Sequence, residues 1–173
     1  MKDKIINELA NRGIEIGACK KGIAELEHST SDVETLAELF FKNAHFCLNS
    51  GFPTAGWISD HFGGEPAKFG IFCRENAKIT NVRRVAVLGD VHVIAKYDGY
   101  SVGKIYTKGR AGVDVIVDGH SRIFIDAFDN SIVNVRASGN TRVYVNQYGN
   151  ASIQYDQRDN SHVVVNVKLS NQY

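Results

Sequence analysis

Two segments twenty residues apart, Arg122-Ile-Phe-Ile-Asp126 and Arg142-Val-Tyr-Val-Asn146, hold the side chains best suited to recognition. In extended chain, Arg122, Phe124 and Asp126 share one side, and so do Arg142, Tyr144 and Asn146. Rings beside guanidinium and amide groups can stack on a sugar or on single-stranded nucleic acid. The same groups also stabilise neighbouring strands as ladders by about 0.2–1 kcal/mol per pair, with no ligand needed. The ladder is the expected role, and the binding surface is the alternative.

Other reactive side chains point less clearly. Asp98 and Asp118 also lie twenty apart, and stacked carboxylates can hold a divalent cation. Lys96 and Arg136 supply plain charge compensation there, so no metal is expected. The six histidines, His28, His45, His61, His92, His120 and His162, show no ligand spacing. Cys19, Cys47 and Cys73 are odd in number and widely spaced, which reads as reduced thiols in a cytosolic protein. No catalytic or cofactor motif stands out, so neither an enzyme nor a cofactor is expected.

The elements that position these residues come from a ten-residue repeat running from Val85 to Leu169, of consensus small-x-Val/Ile-x-Val/Ile-x-x-x-Gly/Asp-Asn. Apolar residues at positions three and five face one way, as in a strand. Gly or Asp, then Asn, turns a corner, because these types tolerate positive φ. Such spacing also suits a sandwich or an up-and-down barrel, but the outward residues decide between them. Position four reads Lys104, Phe124, Tyr144, Val164 in one set and Asp114, Asn134, Gln154 in the other; position eight pairs Phe128 with Tyr148. The surface period is therefore twenty. Residues twenty apart stack directly only in a solenoid with two strands per coil. The column Asn130, Asn140, Asn150 and Asn160 fits stacked corners and reads as structural.

Before the repeat the chain is helical. Asp3 caps a first helix that Gly13 ends, and Lys20 to Glu27 forms a second. Ser31 and Glu34 make a capping box for one long helix over 32–49, apolar on two sides. Thr54 starts a short helix carrying Trp57. The fold class is thus α+β: a helical cap over 1–64, then a single-stranded β-solenoid (a β-helix) with ten-residue half-coils over 65–173, together one cooperative unit. The helices should lie across the first coil and cover its apolar end.

The Ser/Ala-x-Val-x-Val-x-x-x-Gly/Asp-Asn units resemble the short β-solenoids of bactofilin-type bacterial proteins and of adhesin-like solenoid domains. Phe46-Cys-Leu-Asn-Ser-Gly-Phe-Pro-Thr54 looks like small uncharacterised bacterial proteins that join such helices to such a solenoid. The bactofilin likeness implies filaments, and the helical cap departs from that pattern. The second family implies no activity.

Composition bounds the rest. Net charge is +1, and the halves differ little: residues 1–70 carry 7 basic and 10 acidic side chains, residues 71–173 carry 13 and 9. That is no nucleic-acid signature. The opening segment has acids among its apolar residues and is not read as a secretory signal; no apolar run is long enough to span a membrane, so the expected location is cytoplasmic. The last repeat grows more apolar at Val164, Val167 and Leu169 with nothing to blunt its edge. This predicts a homodimer joined there. The expected function is a non-enzymatic structural scaffold or protein-interaction module; the alternative is a carbohydrate- or nucleic-acid-binding module using the aromatic–arginine face.

Overall fold

The computed structural model describes residues 3–170 and 172–173. Five helices come first: α1 (Lys4–Glu15), α2 (Lys20–Glu27), α3 (Val33–Lys42), α4 (Ala44–Ser50) and α5 (Ala55–Phe62). A 3-10 turn, Glu65–Phe69, leads into eleven strands: β1 (Ile71–Phe72), β2 (Ala77–Thr80), β3 (Arg84–Gly89), β4 (His92–Tyr97), β5 (Val102–Gly109), β6 (Gly112–Val117), β7 (Arg122–Ala127), β8 (Ile132–Ala137), β9 (Arg142–Gln147), β10 (Ser152–Gln157) and β11 (His162–Val167). Odd strands form a six-stranded sheet in the order β1-β3-β5-β7-β9-β11, and even strands a five-stranded one, β10-β8-β6-β4-β2. Every pairing is parallel. Two strands per coil make a β-solenoid of about five turns.

The register carries the twenty-residue period. Lys104, Phe124, Tyr144 and Val164 stack in one column, and Asp114, Asn134 and Gln154 in another. The first coil is shorter: Ala77 pairs with Val93 and Ile71 with Ala86, which is where the repeat slips out of phase. Inward valines and isoleucines from Val85 to Val145 are almost wholly shielded from water. The ninth residue of each repeat turns the corner in the left-handed region, from Gly99 (φ 66°) to Asp159 (φ 57°). That conformation is open to Gly and, next best, to Asp and Asn. Gly103 takes the place of an inward valine because the buried Tyr97 ring occupies that space, 2.6 Å from where a Cβ would stand. The Tyr97 hydroxyl donates to Val82 O at 2.8 Å, and burial pushes its phenol well up.

The helical part departs from the sequence reading in four places. The expected helix over 32–49 is two helices, because the Asn43 side chain donates to Leu39 O at 2.9 Å and closes the first. The N-cap is Asp32, which accepts the Thr35 N–H at 2.9 Å, while the Ser31 hydroxyl instead donates to Asp3. Helix α1 runs past Gly13 to Glu15, since that glycine is the point where Ile23 of α2 packs closely. The sequence places the helices across the end of the first coil; in the structure their apolar core meets its side. Ala37, Phe40, Phe41, Leu48 and Ile58 pack against Ile71, Ala86 and Leu88, outward residues of β1 and β3, and this cluster extends to Phe128 and Tyr148.

Candidate functional site

The outward surface of the six-stranded sheet has two columns that matter. One runs Arg84, Lys104, Phe124, Tyr144, Val164; the next runs Ala86, Tyr106, Asp126, Asn146, Asn166. Alternation along each strand brings all six expected recognition residues to this surface. The rings of Phe124 and Tyr144 stack with centroids 5.4 Å apart and planes 16° apart. Both stay open to water, at 39% and 38% exposure. Arg122 is exposed beside Phe124. Such a pair gives a flat apolar step flanked by a cation.

The other three residues are turned to internal bonds. Asp126 is only 1% exposed. It is ion-paired with Lys104, accepts from Asn146 Nδ2 at 2.7 Å and accepts from the Tyr173 hydroxyl at 2.7 Å. A carboxylate so deep in the structure needs that many donors. Arg142 donates to the carbonyls of Thr141 and Asn160, each at 2.9 Å. The open part of the surface is thus Arg122, Phe124 and Tyr144, and Asp126 is the node that binds its neighbours together.

Tyr173 is the residue that sequence reasoning missed. Its ring lies 3.6 Å from that of His45 and meets Phe128 and Tyr148 edge-on at 5.2 and 5.4 Å. Its backbone N–H donates to Asn49 Oδ1 at 3.1 Å. Burial first, then the hydrogen bond to Asp126, pushes its phenol far up, so it stays protonated and donating. Tyr173 therefore joins α4 to β7 and β9. It belongs to no repeat, and no spacing signals it.

On the opposite sheet, Asp114 accepts from Asn134 Nδ2 at 2.8 Å and lies 3.0 Å from His92 Nε2. The Asn134 hydrogen bond, aided by His92, holds its carboxyl below the usual range. Asp98 accepts from Asn81 Nδ2 at 2.8 Å, and Asp118 accepts its neighbour Gly119's N–H at 2.7 Å. At the corners, the Tyr100 and His120 rings stack 4.8 Å apart.

The last coil differs from those before it. Strands β10 and β11 end their sheets, each with one edge that no other strand pairs among the described residues; on β11 the Val163 N–H donates to Gln157 Oε1 at 2.9 Å. Ile153, Val163 and Val165 point inward yet are only half-buried, and Tyr155 is exposed. Val164 and Val167 are open to water, and Leu169 is fully so. Tyr173 docks on the side of the solenoid, against α4 and Asp126. Among the described residues no helix is long and apolar enough to cross a membrane.

Compared with known protein families, with curated proteins and with solved structures, the chain matches none.

Proposed function

We propose that this protein is a non-enzymatic scaffold that pairs with a second copy through its last coil. The observation that carries this is the open end: two strand edges that no further strand pairs among the described residues, flanked by Tyr155, Val163, Val164, Val165, Val167 and Leu169. Exposed edges with apolar side chains associate unless something blunts them. The opposite end is unlike it. Phe72 of the first coil is buried and its edge strands have only two and four residues, although Ala77 and Ile79 on β2 are half-buried as Ile153 is at the other end. With one adhesive end, association closes as a two-fold pair. This reading keeps the end-to-end association that a bactofilin-type likeness implies, but stops it at two copies. Light scattering at tens of micromolar tests it. The wild type should be a dimer, and Val164→Lys with Leu169→Lys a monomer with unchanged circular dichroism. A monomeric wild type, or long polymers, would defeat the idea.

A second reading is favoured by the open step of Phe124 and Tyr144 beside Arg122, which suits stacking of a sugar or an unpaired base. A glycan and oligonucleotide array separates the two: saturable binding lost in Phe124→Ala supports this reading, and a blank array removes it.

A further inference from the structure

The helices do not close on one another. A cavity of about 340 Å³ lies between them, within the roughly 300–1,000 Å³ of small-molecule sites. All five contribute to its wall, among them Leu9 of α1, Ile23 and Leu26 of α2, Leu36 of α3, Phe46 of α4 and Trp57 of α5. Helix α2 is amphipathic yet has no fully buried side chain, because its apolar side borders this space.

The chemistry of the wall is narrow. Among the described residues that line it none is charged. Its polar groups are mostly committed: Trp57 Nε1 donates to Glu8 at 2.6 Å, Asn43 Nδ2 to Leu39 O at 2.9 Å, and Cys19 Sγ accepts the Gly22 N–H at 3.3 Å. Burial pushes the Cys47 thiol up to about 12, so it is a neutral, apolar part of the wall. Among the described side chains that line it, the Asn43 amide is the group with capacity left: its Oδ1, 3.9 Å from where a Cβ on Gly22 would stand, and the second N–H of its Nδ2. Ordered water wants about 2–4 polar partners, and a wall whose free polar groups sit on one amide holds little of it. An ion brought in would lose its hydration with nothing in exchange.

We propose that this cavity binds an uncharged, mainly aliphatic molecule carrying at most one hydroxyl group. The apolar chain fills the space between α2 and the other helices, and the hydroxyl donates to Asn43 Oδ1. A partner helix suits the site less well, because a space of about 340 Å³ is the size of a small molecule. The proposal concerns other elements than the last coil, so its outcome is independent of pairing.

The test uses the full chain and the uncharged fluorescent probe N-phenyl-1-naphthylamine. The probe should bind saturably and be displaced by 1-decanol at a concentration about ten-fold below that needed with decanoate, whose charge has no partner. Gly22→Leu fills the cavity. Its backbone is not left-handed, and a Cβ there meets Cys19 Sγ at an ordinary 3.5 Å. That variant should keep its thermal midpoint and lose probe affinity by about ten-fold or more. Cys19 is exposed at the cavity wall, so 1-decanol should also slow its alkylation by iodoacetamide in the wild type, read by peptide mass spectrometry. No saturable probe binding, equal displacement by decanoate, or undiminished binding in a folded Gly22→Leu would overturn the proposal. If Gly22→Leu does not fold, an alkylation rate at Cys19 that 1-decanol leaves unchanged overturns it.

Discussion

The inward–outward alternation of the solenoid can be tested by placing the same carboxylate at two adjacent residues of β8. Val133 is fully buried, stacked in register between Val113 and Ile153. Val133→Asp puts a charge where there is neither donor nor water, which costs more than about 4 kcal/mol. Set against a total stability of about 5–15 kcal/mol, this variant is unfolded or nearly so. Asn134, one residue on, faces out, and from the sequence Asn134→Asp should cost little. The structure changes that figure, because Asn134 Nδ2 donates to Asp114 Oδ1 at 2.8 Å. The variant loses this charge-assisted bond and sets two carboxylates side by side. At about 3 Å the repulsion is about 1–2 kcal/mol after solvent screening, and the lost bond adds about 1 kcal/mol at so exposed a site. A loss of about 2–3 kcal/mol lowers the midpoint of a chain this long by roughly 5–10 °C.

The pH dependence has a definite sign. In the wild type the Asp114 carboxyl is held below its usual value, 3.8, so it stabilises the fold above that pH and loses the effect as pH falls through its lowered value. In Asn134→Asp the second carboxylate raises the folded values above the unfolded ones, so the penalty is present near neutrality and disappears in acid. His92 and Arg136 also face this group, and both temper the repulsion. Thermal unfolding followed by circular dichroism at about pH 7 and about pH 4 reads all of this. Asn134→Asp should approach the wild type at the lower pH, and Val133→Asp should stay unfolded at about pH 7. Equal midpoints for the two variants at neutral pH would refute the alternation, and a deficit of Asn134→Asp that does not shrink in acid would refute the Asn134–Asp114 contact.

Two further outcomes are expected. Tyr173→Phe keeps the ring against His45 but removes the donor to Asp126; Lys104 and Asn146 remain on that carboxylate, so the loss should be about 1–2 kcal/mol, seen as a lower midpoint in thermal unfolding, and an unchanged midpoint would mean that this bond contributes nothing. Deleting residues 1–64 should produce an aggregating fragment, because it uncovers Ile71, Ala86, Leu88, Phe128 and Tyr148 together; a soluble 65–173 fragment no larger than a dimer by light scattering, with β-type circular dichroism, would show that the strands stand without the helices.

The solenoid was legible in the sequence because its contacts are periodic. An inward valine at position three or five meets the residue twenty places on, so each coil restates the pattern of the last, and Phe124 with Tyr144 or Phe128 with Tyr148 could be paired from spacing alone. The corners were legible too, since the positive φ at the ninth residue restricts it to Gly, Asp or Asn. Exposure at Val164 followed from the same phase, since its column of Lys104, Phe124 and Tyr144 faces out, whereas Val167 has the inward phase and is open only because no further coil covers it among the described residues. The tertiary structure decided everything that joins partners with no common period. Asn43 divides a helix that its apolar stripe makes continuous, because the break depends on where one amide points. The helices settle on the side of the first coils, because Ala86 and Leu88 leave an apolar surface there that only the register with β1 brings next to Ile71. The recognition residues divide for the same reason: Phe124 and Tyr144 stay open, while Asp126 is closed over by Tyr173, forty-seven residues away in the chain. A repeat determines what each coil presents, but which coil is covered depends on contacts between distant segments, and those are written in shape and volume and not in spacing.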